Sequence, residues 1–272
     1  MSWKFSLNNN WYDDLCEYYN VDAETALQLG TRSAGRKPSL PGSKTCKPVS
    51  NMTFEDIWYS KSRETTEDIF QFQRDLGAWS TFRQCVRHKD FAELHTKILS
   101  PFIKEGVHIC EYGCGTAPFS KTLLNNLMYN TTSVKISLSD VEGCEHLYFA
   151  EWRLKNQIEK NNLNVELDVC PVTARNLPNY SSKLDVVITF EVLEHVYNPL
   201  KTVQNLFEYM NDNAIFVENF IKHNDGEHGA GDLESAAEER GDYYQFLSDN
   251  FILIGGPPEE SESNATRIWR KK

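Results

Sequence analysis

Three groups of residues in this chain have types and spacings that can do chemistry. The first is Glu111-Tyr112-Gly113-Cys114-Gly115-Thr116-Ala117-Pro118, a carboxylate followed by a glycine-bearing turn. Gly113 and Gly115 let the main chain approach a ligand closely, because no Cβ intervenes. A turn that opens a helix also presents N–H groups to that ligand. The second group is Glu191-Val192-Leu193-Glu194-His195-Val196, two carboxyl groups and an imidazole in one short run. Histidine titrates near neutrality, so His195 is a candidate general base, with Glu191 beside it as a second catalytic candidate. The alternative for His195 is a hydrogen bond that fixes the Glu191–His195 turn. Spacings of i, i+3 and i+4 would set Glu191, Glu194 and His195 on one face of a helical turn. There they could hold a divalent cation, with His223 or His228 from the following loop as a fourth ligand. The third group is a single acid, Asp140.

These groups need a scaffold, and the surrounding patterns supply one. Val107 to Cys110 reads as a short apolar strand ending at Glu111. The segment after the turn has helical periodicity, with Phe119, Leu123, Leu124 and Leu127 on one side. Val134 to Ser139 alternates like a strand and delivers Asp140, roughly 20 positions past the glycine turn, where nucleotide-binding α/β folds place an acid on the ribose hydroxyls. Glu145 to Asn161 carries Leu147, Ala150, Leu154 and Ile158 on one helical stripe, and Val165 to Val169 is the next strand. Leu184 to Phe190 is a continuous apolar run, as expected of a strand buried on both faces of a parallel sheet. It leads straight into Glu191. Asn198-Pro199 then caps a helix bearing Leu200, Val203, Leu206, Phe207 and Met210. Ala214 to Glu218 is a further strand, followed by a polar glycine-rich loop from Lys222 to Asp232. That loop reads as a lid or acceptor-binding loop, or else as a solvated connection. Phe251–Ile254 and Thr266–Trp269 form a closing pair of strands.

The acid before the glycine turn discriminates between ligands. A dinucleotide would set its pyrophosphate beside Glu111, an unfavourable pairing of like charges. Pro118 also occupies the third glycine of the G-x-G-x-x-G pattern. S-adenosylmethionine, with an ammonium and a sulfonium, would welcome the same carboxylate. Glu111-x-Gly113-x-Gly115-x-Ala117 resembles motif I of the class I S-adenosylmethionine-dependent methyltransferases, with Ala117 in place of the last glycine. Glu191 to Val196 resembles the E-V-L-E-H-V motif IV of small-molecule members. The resemblance implies an α/β fold with a seven-stranded, mostly parallel, doubly wound sheet and a C-terminal antiparallel hairpin. It implies S-adenosylmethionine as cofactor, bound by Glu111, Gly113, Gly115, Asp140 and Glu191. In such enzymes an acid after the third strand often meets the adenine. Here that position falls on Thr173, so the adenine contact passes to the Thr173 hydroxyl or to backbone groups. The E-x-x-E-H string also resembles metal-assisted methyltransferases acting on vicinal hydroxyls, including enzymes of the ubiquinone pathway and of small-RNA termini.

At 272 residues the chain has room for one α/β domain and an accessory segment. Residues 1–52 read as an irregular, aromatic-containing segment that docks on the domain or covers a site. Residues 53–106 read as a helical accessory segment, either a wall of the acceptor pocket or simple packing, and residues 107–272 as the cofactor-binding core. The charge is −11, from 28 basic and 39 acidic residues. That excess points away from nucleic acid, whose affinity leans on phosphate neutralisation, and towards a small-molecule acceptor. No stretch approaches the roughly 20 apolar residues of a membrane span, and the first residues show no hydrophobic signal region. The seven scattered cysteines read as reduced thiols of a cytoplasmic protein. An NAD-linked oxidoreductase is disfavoured by Glu111 and Pro118. A non-catalytic binding protein stays open, although Glu111, Gly113, Gly115 and Asp140 are all intact.

Overall fold

The computed structural model describes residues 11–26, 54–87, 89–127, 132–220, 231–258 and 265–272. A seven-stranded sheet forms the centre. Its strands are β1 (Val107–Tyr112), β2 (Val134–Ser139), β3 (Val165–Val169), β4 (Leu184–Thr189), β5 (Met210–Glu218), β6 (Phe251–Gly255) and β7 (Arg267–Lys271), in the spatial order β3-β2-β1-β4-β5-β7-β6. The first five strands run parallel, and β7 pairs antiparallel with both β5 and β6. This is the doubly wound sheet with an antiparallel end that the resemblance implied.

The strands form because their side chains have core on both sides. Every residue of β1 is buried, as are Leu184, Val186, Val187 and Ile188 of β4. On one face lie α6 (Pro118–Leu127) and α7 (Glu145–Asn161), packed through Phe119, Leu123, Leu124, Leu147 and Leu154. On the other face lie α3 (Thr66–Leu76), α8 (Pro199–Tyr209) and α9 (Glu234–Asn250), packed through Phe72, Leu76, Leu206, Tyr243 and Leu247. Pro199 opens α8 as expected, but the Asn198 side chain makes no capping hydrogen bond.

The accessory segment is helical: α2 (Phe54–Tyr59), α3, α4 (Ala78–Arg87) and α5 (Lys89–Leu99). A reciprocal capping box between Thr65 and Asp68 starts α3. Within residues 1–52, Trp11–Tyr19 is not irregular but a helix, α1. Its aromatic residues provide the reason: Tyr19 stacks on Phe82 at 5.0 Å between ring centroids, and Tyr18 packs edge-on to Phe149 at 5.2 Å. Docking is completed by Asp14, which pairs with Lys121 at 3.0 Å and Arg153 at 3.1 Å. Arg153 in turn donates to the Thr116 carbonyl at 2.8 Å. The N-terminal helix therefore buttresses the glycine turn through one charged chain. Among the described residues, no helix is long and apolar enough to cross a membrane.

Candidate active site

A cavity of about 330 Å³ opens at the carboxyl ends of β1 and β4, where the strand order reverses. Gly113, Gly115, Glu111, Asp140, Glu191, Glu194 and His195 all line it. Thr173 does not. Its hydroxyl instead accepts hydrogen bonds from the Asn176 amide at 3.0 Å and the Arg175 amide at 3.4 Å, closing a local turn, while its neighbour Val172 lines the cavity.

Gly113 and Gly115 adopt φ of 66° and 52°, the left-handed region. A Cβ on Gly113 would collide with both γ-methyls of Val192, which follows β4. A Cβ on Gly115 would collide with the Gln84 side chain of α4. Ala117 holds the same left-handed conformation, φ 51°, although it carries the side chain that glycine lacks. Gln84 Oε1 accepts from the Thr116 amide at 3.0 Å, so the accessory segment clamps the turn. Gly113→Ala is expected to lower affinity for S-adenosylhomocysteine about tenfold or more, because strain and collision both fall on the ligand-facing backbone. Calorimetric titration measures it directly.

Glu111 has a task that its place in the motif did not reveal. Its carboxylate accepts from the Ser120 amide at 2.9 Å, the Ser120 hydroxyl at 2.6 Å and the Phe119 amide at 3.3 Å. It thus closes the N-terminus of α6, where a carboxylate meets unpaired N–H groups and the positive end of the helix dipole. Burial pushes its pKa up to about 7, against the pull of Ser120, the two amides and Arg153.

Asp140 is equally engaged. Oδ2 accepts from the Gly115 amide at 2.6 Å, and Oδ1 from the Val141 amide at 2.7 Å and from His146 Nε2 at 3.1 Å. His146 Nδ1 lies 3.3 Å from Ser80 Oγ, whose own proton goes to the Gly77 carbonyl. Both imidazole nitrogens therefore face acceptors, which describes an imidazolium. Burial opposes that charge, yet Asp140 and Cys144 hold the His146 pKa well above its usual value. Burial likewise works against the Asp140 carboxylate and is outweighed by His146 and the two amides, so its pKa is lowered. His146, Gln84 and Arg153 were not singled out in the sequence. Gln84 and Arg153 reach the turn from helices distant in the chain, and His146, six residues past Asp140, belongs to no pattern that marks it.

At the other end of the cavity, Glu191 takes a left-handed φ of 53° and donates its amide to Asn219 Oδ1 at 2.7 Å. The tight turn begins only at Leu193, a single 3₁₀ turn from Leu193 to His195. Glu191, Glu194 and His195 consequently do not share one face of a helical turn. Among the described residues, no three His, Cys, Asp or Glu side chains lie close enough to hold a metal ion. His223 and His228 lie outside the described residues, as does the glycine-rich loop up to Ala230. The loop's described end is part of the site. His195 Nδ1 sits 2.8 Å from the Gly231 carbonyl and 3.1 Å from Asp232 Oδ1. Two acceptors place the proton on Nδ1 and leave Nε2 as the other functional atom. Burial would lower the His195 pKa, but Asp232, Glu194 and the Gly231 carbonyl raise it to about 9. Glu194 is 3% exposed, with both carboxyl oxygens lacking a hydrogen-bond partner among the described residues.

Comparison with known proteins decides the family. A family profile described as a methyltransferase domain matches residues 83–248, more than half of the chain. The chain belongs to this methyltransferase domain family. Bare backbone at Gly113 and Gly115 with a carboxylate at Asp140 fits S-adenosylmethionine as the methyl donor. A tRNA U34 carboxymethyltransferase of Campylobacter fetus is 25% identical over 151 residues, 54% of this chain and 45% of that protein. The chain thus spans under half of that relative's length. The small RNA methyltransferase HEN1 shares the fold at a TM-score of 0.50 and 16% identity, over 68% of this chain and 25% of that one. A S-adenosylmethionine-dependent methyltransferase of Aquifex aeolicus is similar at a TM-score of 0.46 and 16% identity, over 65% of this chain and 88% of that one.

Proposed function

We propose that this protein transfers a methyl group from S-adenosylmethionine to an oxygen or nitrogen of a small-molecule acceptor, with His195 as general base. The observation that carries the reading is the convergence of the glycine turn, Asp140 and the His195–Asp232 pair on one cavity. When bound, S-adenosylmethionine supplies a methyl group on a sulfonium, a leaving group that needs no proton. The protein must therefore align the acceptor, keep water out and take one proton.

Gly113 and Gly115 let the amino-acid end lie against the main chain. Asp140 offers its remaining lone pairs to the ribose hydroxyls, held in place by Gly115, Val141 and His146. Val172 and Val141 line the cavity beside Asp140 and would meet the adenine. Asp232 and the Gly231 carbonyl fix the His195 tautomer and leave Nε2 to accept the acceptor proton, while Phe70 and Trp79 of the accessory segment line the cavity and would wall the acceptor. The name of the Campylobacter relative suggests a tRNA acceptor instead. Against this stand the acid excess of the chain and the carboxyl groups at the cavity.

Because Asp232 keeps His195 protonated near neutrality, activity should rise with pH through about 9. Asp232→Asn should shift that midpoint downward, since the imidazolium loses its carboxylate, and His195→Gln should abolish the dependence while slowing the reaction by roughly 10²-fold or more. Methylation rates measured against pH, once an acceptor is in hand, test this. A profile unaltered by either substitution removes His195 from the chemistry. Calorimetry with S-adenosylhomocysteine tests the donor site independently of any acceptor.

A further inference from the structure

Glu194 is the anomaly of the cavity wall. A buried carboxyl group without a hydrogen bond is costly, and native structures rarely keep one without a use. The Leu233 amide donates to the Glu194 carbonyl at 2.9 Å and holds its backbone, yet neither carboxyl oxygen has a hydrogen-bond partner among the described residues, and the charge beside the group is that of His195. The group lines the cavity, so a ligand can meet what the protein does not. The neighbourhood sets the sign of that ligand. Glu191 and Asp232 bring two more carboxyl groups beside it, where the neighbouring cation is His195. The His195 Nδ1 proton is already committed to Asp232 and Gly231.

We propose that Glu194 forms the acceptor subsite and that the acceptor presents a cationic nitrogen, an amine or similar N–H donor, to it. This rests on the methyltransferase reading of the same cavity and names its substrate class. An ammonium group brings several donors to two empty carboxyl oxygens, whereas a hydroxyl brings one and a carboxylate none. Charge complementarity adds to the discrimination, since a carboxylate acceptor would face the carboxyl groups of the buried Glu194 and the half-buried Glu191 and Asp232. Phe70, Trp79 and Phe190 line the cavity as well and give the acceptor an apolar body beside its charged end.

The test is calorimetric, on the full chain saturated with S-adenosylhomocysteine, using phenethylamine, 2-phenylethanol and 3-phenylpropionate as probes with a common ring. Phenethylamine is expected to bind about tenfold or more tightly than the other two. At a pH above the Glu194 pKa, which burial pushes up to about 7, Glu194→Gln is expected to erase that preference with S-adenosylhomocysteine affinity kept within about twofold, because the substitution preserves shape and removes the charge. Glu191→Gln serves as a second variant and should weaken phenethylamine to a smaller degree. Equal or tighter binding of the alcohol or acid, no binding of the amine, or a preference that survives Glu194→Gln would each overturn the proposal. Failure of S-adenosylhomocysteine to bind would overturn the donor reading and this proposal together. Binding of S-adenosylhomocysteine without an amine preference overturns this proposal alone.

Discussion

Asparagine in place of Asp140 is expected to weaken S-adenosylhomocysteine binding by roughly tenfold to a hundredfold and to lower the melting temperature in a pH-dependent way. The side chain does two jobs at once. It is the acid at the end of β2 that would meet the ribose, and it is the counter-ion of His146. Asparagine keeps the shape but offers one carbonyl oxygen where Gly115, Val141 and His146 now share two carboxylate oxygens. His146 is then left buried without its partner. Breaking one side of a buried pair costs about 3–5 kcal/mol when the remaining charge persists, and less where the imidazole can discharge. At roughly 2–4 °C per kcal/mol for a domain of this size, the shift is readily measured by calorimetry.

The sign of the pH dependence follows from both partners. The Asp140 pKa is lowered in the folded protein, so its contribution is present above the unfolded value, about 3.9, and is lost as pH falls through the folded value. The His146 pKa is raised, so its contribution is complete below about 6.5 and is lost as pH rises through the folded value. The wild type should therefore exceed the variant most at mildly acid pH, between those two reference values. The gap should narrow both below about pH 4 and in alkali. A melting-temperature difference that is flat from pH 4 to 10 would show that the pair carries no net charge interaction.

The sheet was legible because parallel strands buried on both faces appear in sequence as apolar runs. Leu184 to Thr189 and Val107 to Cys110 need no partner to declare themselves. Helix α9 was not read at all, for a physical reason. Its first half, Glu234 to Asp242, is acid-rich and contains Gly241, and its buried face includes Arg240 beside Ala236, Tyr243, Tyr244 and Leu247. That arginine is buried only because it donates to the Phe220 carbonyl at 2.6 Å and lies over the Phe220 and Tyr244 rings. Such a rescue is invisible to periodicity. The site divides in the same way. Gly113, Gly115 and Asp140 sit in local patterns and were readable. The clamp of Gln84 and Arg153 on Thr116 comes from tertiary contacts, and the tether of Asp140 to His146, six residues on, depends on how the turn between β2 and α7 folds back. The left-handed φ of Glu191 cannot be read from a non-glycine residue, so the expected helical face of Glu191, Glu194 and His195 was drawn on the wrong backbone.

The larger effect on stability should come from a cluster outside the cavity. Glu218 and Arg267 are both fully buried, at 0% exposure, at the junction of β5 and β7. Glu218 accepts from the Phe220 amide at 2.7 Å, the Tyr244 hydroxyl at 3.2 Å and the Trp269 indole at 3.2 Å, with Arg267 Nη1 at 4.0 Å. Burial raises the Glu218 pKa even so, ahead of the lowering by Phe220, Arg267, Trp269 and Tyr244. The pair is therefore no source of net stability by its charges, and the Glu218 carboxylate is tolerated because both of its oxygens accept hydrogen bonds. Glu218→Ala removes the acceptor and leaves Arg267 charged in the core, which is expected to cost about 3–5 kcal/mol and to lower the melting temperature by roughly 10 °C. Glu218→Gln keeps an oxygen for the Phe220 amide and should cost less than half of that. The decisive comparison is Glu218→Ala with Arg267→Met added. If uncompensated charge is the cause, the second change restores part of the lost stability, because it removes the unpaired guanidinium while the cavity at position 218 and the unpaired Phe220, Tyr244 and Trp269 donors remain. If Arg267→Met deepens the loss instead, its bonds to Tyr244 and the Ala265 carbonyl, at 3.1 and 3.2 Å, hold the β5–β7 junction independently of Glu218. The outcome also bears on the site, because Asn219, next to Glu218, is what holds the amide of Glu191. A slackened end of β5 should therefore disturb the acceptor side before it touches the donor side.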